Sequence, residues 1–175
     1  MKFNRVWAMP NKATFTIKPI RELIGRYVNG VVWADPFAGW HSPAELTNDL
    51  NPDAPTLDHQ EALQWSRTLK DGALGGVLFD PPYSPRQVAE CYKQIGKATT
   101  MQTTQANFWT EVKDALAPKV REEGIAICCG WTSQGFGKNR GFELLEILLV
   151  PHGGHHNDTI VTVERRPRKR GGGAE

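Results

Sequence analysis

The chain has 175 residues, of which 39% are hydrophobic, and a formal net charge of only +2. That length is enough for one domain with a sizeable core, and no apolar run approaches the roughly 20 residues of a membrane-spanning helix. The start of the chain, MKFNRVWAMPNK, has no uninterrupted apolar stretch, so the sequence predicts neither a secretory signal nor a membrane protein.

Helices and strands alternate along the first half of the chain. The assignments rest on the spacing of apolar residues and on punctuation such as Pro19, which suits the first turn of a helix. In chain order, the predicted elements are a helix at 19–28, strands at 31–34 and 46–48, a helix at 59–69 and a buried strand at 77–79.

The second half continues the alternation. Ser84 and Gln87 form a predicted capping box for a helix that begins at Pro85, and the apolar face of this helix holds Val88, Cys91, Tyr92 and Ile95. The later predicted elements are a loop at 97–106, a helix at 108–116, and strands at 124–129, 142–150 and 159–163.

This order of elements predicts an α/β fold with a Rossmann-like, mostly parallel sheet and a C-terminal antiparallel hairpin. We expect one domain over residues 1–164. The remaining residues, 165–175, begin with RRPRKR and are predicted to be a basic, disordered tail.

Two residue types bear on cellular context and metal binding. The three cysteines, Cys91, Cys128 and Cys129, have no metal-type spacing, and we interpret them as buried thiols in a reducing cytosol. The histidines of the PHGGHHND stretch lack a cysteine or an H-E-x-x-H pattern nearby, so no metal site is predicted.

The most informative stretch is GVLFDPPYS, residues 76–84. Asp80 follows a buried strand at the edge where open α/β sheets bind ligands, and Pro81 and Pro82 stiffen the turn because each fixes its own φ angle. The Asp80 carboxylate and the Pro81 carbonyl can each accept one hydrogen from an exocyclic amine, which would direct the nitrogen lone pair at a methyl donor. Tyr83 would stack on the base.

Asp80-Pro81-Pro82-Tyr83 is the signature of amino-methyltransferases that use S-adenosylmethionine. The longer run DPPYSPRQVAECY resembles small phage-type and prophage-type adenine-specific DNA methyltransferases, and the resemblance extends over residues 15–164. Its other motifs are ADPFAG (34–39), TNDLNP (47–52), EALQW (61–65) and HHNDTIVTVE (155–164). The resemblance implies a Rossmann-like methyltransferase fold and a DNA adenine-N6 methyltransferase activity, with S-adenosylmethionine as cofactor.

Candidate cofactor-binding residues come from several segments. Asp35, Pro36 and Phe37 end the first predicted strand, and Asp49 follows the second, where an acidic side chain can accept both ribose hydroxyls. The resemblance further implies that Glu61 meets the adenine of the cofactor, and that Lys18 and Pro19 approach its methionine end, with Lys18 paired to the carboxylate. Alternatively, Lys18 is only a solvated residue before a helix.

Candidate substrate-binding residues flank the turn or lie in later loops. We place Tyr83, Ser84, Arg86, Trp131, Lys138 and Arg140 in this group. Arg86, Lys138 and Arg140 are candidate phosphate contacts, and Trp131 is a candidate wall of the base pocket. A surface charge for Arg86 and a core position for Trp131 are the competing interpretations.

The expected partner is DNA, either duplex or single-stranded, and a target adenine in duplex DNA must leave the stack. Only about 40 residues separate the cofactor motif ADPFAG (34–39) from the Asp80-Pro81-Pro82-Tyr83 motif, too few for a recognition domain between them. Target choice therefore falls to loops 84–106 and 131–141, to a partner subunit or to a second protomer. Methylation of RNA, of cytosine N4 or of a protein amide stays open, as does a non-catalytic subunit of a larger assembly. The resemblance implies a location in the cytoplasm of a bacterial, archaeal or phage-infected cell.

Overall fold

The structure is a computed structural model that describes residues 1–28, 30–96, 98 and 108–168. The described strands are β1 (Lys2–Arg5), β2 (Trp33–Asp35), β3 (Leu46–Thr47), β4 (Leu74–Phe79), β5 (Val120–Gly130), β6 (Glu143–Val150) and β7 (Thr159–Arg165). The described α-helices are α1 (Lys18–Tyr27), α2 (Ala62–Thr68), α3 (Pro85–Gln94) and α4 (Phe108–Leu116).

The strands form one sheet in the order β1-β6-β7-β5-β4-β2-β3. Strand β7 runs antiparallel to β5 and β6, while the other neighbours pair in parallel. The predicted α/β fold with a terminal antiparallel hairpin is therefore confirmed. Since β1 to β6 all point the same way, the residues that come after them meet at one edge, which we call the carboxyl edge.

Helices cover the two faces of the sheet because side chains along each strand alternate in direction. Within β4, Leu78 packs on the α1 side, in a cluster with Ile20 and Leu23. Its neighbours Val77 and Phe79 pack on the other side, with the apolar residues of α2 and α4. Both faces of β4 are thus buried, which explains its uninterrupted apolar run.

Most predicted elements match the structure to within a few residues, and the capping box of α3 is present with both of its hydrogen bonds. Strand β2 begins at Trp33 rather than Val31. The predicted loop at 97–106 lies outside the described residues except for Ala98. Within the described part of the chain, no helix is both long and apolar enough to cross a membrane.

Both ends of the described chain depart from the prediction. Strand β1 was not predicted, and it pairs in parallel with β6. The disordered tail was predicted to start at residue 165, which is wrong for its first residues: Arg165 belongs to β7, and Arg166 exchanges backbone hydrogen bonds with Glu123 and Gly124. Residues 169–175 lie outside the described residues.

Candidate active site

The turn after β4 is held by the start of α3. The side-chain oxygen of Gln87 accepts hydrogen bonds from the backbone N–H groups of Tyr83 (2.7 Å) and Ser84 (3.1 Å). In return, the Ser84 hydroxyl oxygen accepts from the N–H of Gln87. Ser84 thus serves as the N-cap of α3 and does not line the cleft beside this turn, and the capping box fixes where Tyr83 points.

Asp80 lies at the carboxyl edge, and its carboxylate accepts hydrogen bonds from two hydroxyl groups. Tyr83 donates a hydrogen bond to its carboxylate, and so does Thr14 from a short 3-10 helix, Thr14–Thr16. Burial raises the pKa of Asp80, and these two hydrogen bonds partly oppose that effect. Burial and the nearby Asp80 charge raise the pKa of Tyr83, so this phenol keeps its proton and acts as a donor.

The Pro81 carbonyl is left open by this arrangement. Pro82 and Pro85 have no N–H to offer it, and among the loops and turns of the described residues no backbone N–H donates to it. A carboxylate and a carbonyl acceptor therefore stand next to each other in the chain, as the sequence predicted.

A cleft of about 480 Å³ opens beside this turn. That volume lies within the range of small-molecule sites, about 300–1,000 Å³. Its lining comes from the N-terminal segment, the loops after β2, β3 and β4, the start of α2, helix α3 and the side chain of Trp109. Eight of the predicted site residues line it: Pro36, Phe37, Asp49, Glu61, Asp80, Pro81, Pro82 and Tyr83.

Asp35 stabilises the loop after β2 through hydrogen bonds within that loop, and it does not line the cleft. It is fully buried, and its two carboxylate oxygens accept hydrogen bonds from the Phe37 N–H (2.9 Å) and the Ser42 hydroxyl (2.6 Å). Burial raises its pKa to about 7, with smaller contributions from the charges of Asp80 and Asp49. The structure therefore assigns Asp35 to loop geometry rather than to direct ligand contact.

Phe37 is fixed by two other aromatic rings. Its ring meets those of Phe79 (5.3 Å between centroids) and Trp109 (5.1 Å) edge to face. These contacts join the loop after β2 to β4 and α4, and they give the cleft a rigid apolar wall.

The loop after β3 is tied to its neighbours by Asn48 and Asp49. The buried Asn48 side chain donates to the carbonyls of Pro36 (3.2 Å) and Gln60 (3.0 Å), and it accepts from the N–H of Gln60 (2.9 Å). Asp49 accepts from the N–H groups of Gly39 (3.0 Å) and Asn51 (2.8 Å). An ionised carboxylate has about four acceptor positions, so Asp49 still has capacity for a ligand.

Helix α3 forms one wall of the cleft. The Tyr92 hydroxyl donates to the Glu61 carboxylate at 2.7 Å, which joins α3 to the start of α2 across the cleft. Cys91, on the same helix, lines the cleft and is exposed, so its predicted burial is wrong, whereas Cys128 and Cys129 are buried as predicted. Burial by its surroundings, together with Asp49 and Glu90, nevertheless raises the pKa of the Cys91 thiol.

Several predicted site residues lie outside the cleft lining. Lys18, with a side chain 76% exposed, faces Glu22, and Pro19 is next to it in the first turn of α1. The predicted pairing of Lys18 with a ligand carboxylate is therefore not supported, and Lys12, which the sequence did not single out, lines the cleft together with Thr14. No motif pointed to Lys12, since its place depends on how the N-terminal segment folds back.

The predicted phosphate contacts are also engaged elsewhere or remote. Arg86 is exposed and pairs with Glu90 at 2.9 Å, one helical turn away. Arg140 pairs with Asp114 (2.7 Å) and donates to the carbonyl of Phe136 (2.8 Å), so it holds a loop against α4. Lys138 lies in the same loop, exposed and outside the cleft lining.

Trp131 follows β5 at the carboxyl edge and contacts Tyr83 in the turn after β4. Its ring lies 5.6 Å from that of Tyr83, tilted by 59°. With 41% of its surface exposed, it is an open aromatic surface beside the cleft rather than a core residue.

The His152 side chain has a hydrogen-bond partner within the fold at each of its ring nitrogens. It is buried, with one ring nitrogen against the Ala8 carbonyl (2.9 Å) and the other against the Thr159 hydroxyl (2.8 Å). Within the described residues, no group of three or more metal-binding side chains comes together.

Comparison with known proteins gives the fold. No model of a known protein family matches the sequence, and no curated protein does either. Among solved structures, the 1,6-didemethyltoxoflavin-N1-methyltransferase of Burkholderia thailandensis, crystallised with S-adenosylhomocysteine, is similar with a TM-score of 0.58 and 10% identity, over 86% of this chain and 78% of that one.

Two further solved structures agree with this. Precorrin-6y C5,15-methyltransferase of Geobacter metallireducens has a TM-score of 0.54 and 13% identity, over 91% of this chain and 94% of that one. The N-methyltransferase NodS of Bradyrhizobium japonicum has a TM-score of 0.52 and 10% identity, over 86% of this chain and 96% of that one. The chain therefore has the Rossmann-like fold of S-adenosylmethionine-dependent methyltransferases.

We predict that Asp35→Asn removes a pH dependence of stability. Because folding raises the pKa of Asp35 from 3.8 to about 7, the folded state holds this proton more tightly, and stability falls as pH rises between these values. Asparagine keeps an acceptor for Phe37 and a donor for Ser42 but cannot ionise. Relative to wild type, its free energy of unfolding should therefore increase from about pH 5 to pH 8, by an amount on the order of a few kcal/mol.

Urea unfolding at both pH values measures this difference. Asp35→Ala is the control, since it loses both hydrogen bonds and should be less stable than Asp35→Asn at either pH. A constant difference between Asp35→Asn and wild type would contradict a raised Asp35 pKa.

Proposed function

We propose that this protein is an S-adenosylmethionine-dependent DNA methyltransferase that modifies the N6 amine of adenine. The observation that carries the proposal is the Asp80 carboxylate at the cleft, next to Pro81 in the lining and hydrogen-bonded to the Tyr83 hydroxyl. This is the set of groups that an exocyclic amine with two hydrogens requires, and it stands at the ligand-binding edge of a methyltransferase fold.

The cofactor side of the cleft fits S-adenosylmethionine. Asp49 has free acceptor capacity for the ribose hydroxyls, and Glu61 has a carboxylate oxygen left after its bond to Tyr92. Phe37 supplies an apolar wall, and Lys12 supplies a positive charge suited to the methionine carboxylate. When bound, the cofactor provides an electrophilic methyl group on a positively charged sulfur.

The protein's own contribution is to orient the amine and accept its proton. Asp80 and the Pro81 carbonyl each accept one amine hydrogen, so the nitrogen lone pair is aligned for attack. The raised pKa of Asp80 also makes its carboxylate a better proton acceptor than a solvated aspartate. For the amine to reach Asp80, the Tyr83 hydroxyl must move aside, and its ring is then available to stack on the base together with Trp131.

Adenine in DNA is the acceptor favoured by the resemblance of DPPYSPRQVAECY to adenine-specific enzymes. The broad aromatic surface of Tyr83 and Trp131 adds support, since it suits a purine. Cytosine N4, the bases of RNA and protein amides offer the same type of nitrogen group. The chemical identity of the methylated product distinguishes these acceptors from adenine in DNA.

The decisive measurement is transfer of labelled methyl groups to duplex DNA, single-stranded DNA and RNA of the same sequence, followed by digestion to nucleosides. We expect N6-methyldeoxyadenosine as the product, and the Asp80→Ala protein serves as the blank. Label found only on cytosine, or only in RNA, would contradict the proposed function while leaving the fold unchanged.

Asp80→Ala should strongly reduce methyl transfer and leave cofactor binding intact. Loss of a group that acts in the transition state lowers kcat by about 10²–10³-fold. Binding can be followed by calorimetry and by protection of Cys91, the cleft cysteine, from alkylation at alkaline pH, where its thiolate forms. Asp49→Asn is the complementary control and should weaken cofactor binding. Near-normal turnover of Asp80→Ala would refute the assignment of Asp80 to the acceptor amine.

Tyr83→Phe should move the acidic limb of the kcat/KM profile to higher pH. The Tyr83 hydrogen bond lowers the pKa of Asp80, so its removal raises that pKa further. Because the reaction requires the ionised form of Asp80, the variant should lose activity at a higher pH than wild type as the solution is acidified. The quantity to follow is kcat/KM, since it reports ionisations of the free enzyme. Thr14→Val removes the other hydroxyl and should act in the same direction. A limb that stays in place or moves to lower pH would contradict this role.

A further inference from the structure

The segment between β1 and the cleft runs along the carboxyl edge. The N–H of Ala8 donates to the carbonyl of Pro151, just past the end of β6, at 3.2 Å, and Thr14 bonds Asp80 at the end of β4. Strands β7 and β5 lie between β6 and β4. Residues 8–14 therefore pass the ends of these two strands, a distance of about 14 Å at the usual strand spacing.

Large apolar side chains are exposed along this path. Trp7 is 59% exposed and Met9 is 69% exposed. Trp131, which follows β5, is 41% exposed and contacts Tyr83 of the cleft. We call Trp7, Met9 and Trp131 the crossing surface. Trp131 is the part of this surface that adjoins the site where the target base is proposed to bind, because its ring contacts Tyr83.

The charge of this end of the chain favours a nucleic acid. The first 20 residues contain Lys2, Arg5, Lys12 and Lys18 and no Asp or Glu, whereas the rest of the chain has more acidic than basic residues. Lys2 and Arg5 are exposed on β1, close in the chain to Trp7. Aromatic side chains beside basic ones are the usual means of binding a single nucleic-acid strand, by stacking bases and neutralising phosphates.

We propose that the crossing surface binds the DNA nucleotides that flank the target adenine, an inference that rests on the proposed function. Trp131, which contacts Tyr83 beside the target base, marks where the strand leaves the cleft. Trp7 and Met9 contact bases farther along the same strand. Strand β1 lies four strand spacings from β4, or about 19 Å. A strand that rises about 3.4 Å per nucleotide covers this distance with about six nucleotides.

The length of the acceptor therefore provides a sharp test with Trp7→Ala. With a DNA strand of about 20 nucleotides and a central adenine, this variant should raise the KM for DNA on the order of tenfold, the effect of losing one stacked base. Its kcat and its KM for S-adenosylmethionine should not change. With a trinucleotide acceptor, which does not reach Trp7, the variant and the wild type should have equal kcat/KM.

Two further variants control for damage to the fold. Trp40→Ala removes a tryptophan of similar exposure, 56%, from the loop on the other side of the cleft, and it should leave all kinetic constants unchanged. Trp7→Phe keeps an aromatic ring and should restore most of the affinity. Fluorescence anisotropy of a labelled strand measures the same affinities without methyl transfer.

The outcomes separate the crossing surface from the proposed function. Equal KM values for Trp7→Ala and wild type with the long strand overturn the crossing surface, and so does an equal loss with the trinucleotide. Absence of methyl transfer to any DNA by the wild type overturns the proposed function instead. Tighter, Trp7-dependent binding of RNA of the same sequence overturns the assignment of the surface to DNA.

Discussion

The side-chain amide of Asn48 joins the two loops on which the cleft depends. Strands β2 and β3 have only three and two residues, so their ladder offers few hydrogen bonds to position the loops at their ends. Asn48 supplies the missing bonds, to the loop after β2 through Pro36 and to the start of α2 through Gln60. Asp49 and Glu61 directly follow Asn48 and Gln60 in the chain, so one buried amide sets the spacing of both cleft carboxylates.

Burial affects the carboxylates at this edge in different ways because their hydrogen-bond donors differ. Asp35 is fully buried outside the cleft lining, and its oxygens are bound within its own loop by the Phe37 N–H and the Ser42 hydroxyl. Asp80 is bound by the hydroxyls of Tyr83 and Thr14, and hydroxyl groups can rotate away when a ligand arrives. Both pKa values are raised, yet of the two only Asp80 lines the cleft, where a ligand can replace its hydroxyl partners.

The residues that sequence reasoning placed correctly are those determined by local chemistry. A buried run followed by Asp80 predicted a strand and a carboxylate at its end, and the spacing of Ser84 and Gln87 predicted the cap that orients Tyr83. The order of helices and strands likewise predicted the sheet. In each case the controlling interactions lie within a few residues of one another.

The residues that were missed depend on distant parts of the chain. Strand β1 is exposed along its whole length and shows no alternation, so only its pairing with β6 defines it. Arg166 is ordered by the carbonyls of Ala117 and Val120, 49 and 46 positions earlier. The place of Lys12 in the cleft results from the return of the N-terminal segment toward Asp80, which no spacing of residues in the sequence indicates.

This return of the N-terminal segment bears on how a domain without an inserted recognition module could select its target. In the proposed arrangement, Trp7 and Met9 contact the acceptor strand, Lys12 contacts the cofactor, and Thr14 bonds the catalytic carboxylate. All four residues belong to one short stretch of backbone, held to β6 through Ala8. A strand that fits poorly on Trp7 would therefore displace the same backbone that positions Thr14 against Asp80. Selection of the acceptor and alignment of the amine would then depend on one segment, because its position is transmitted directly to the catalytic turn.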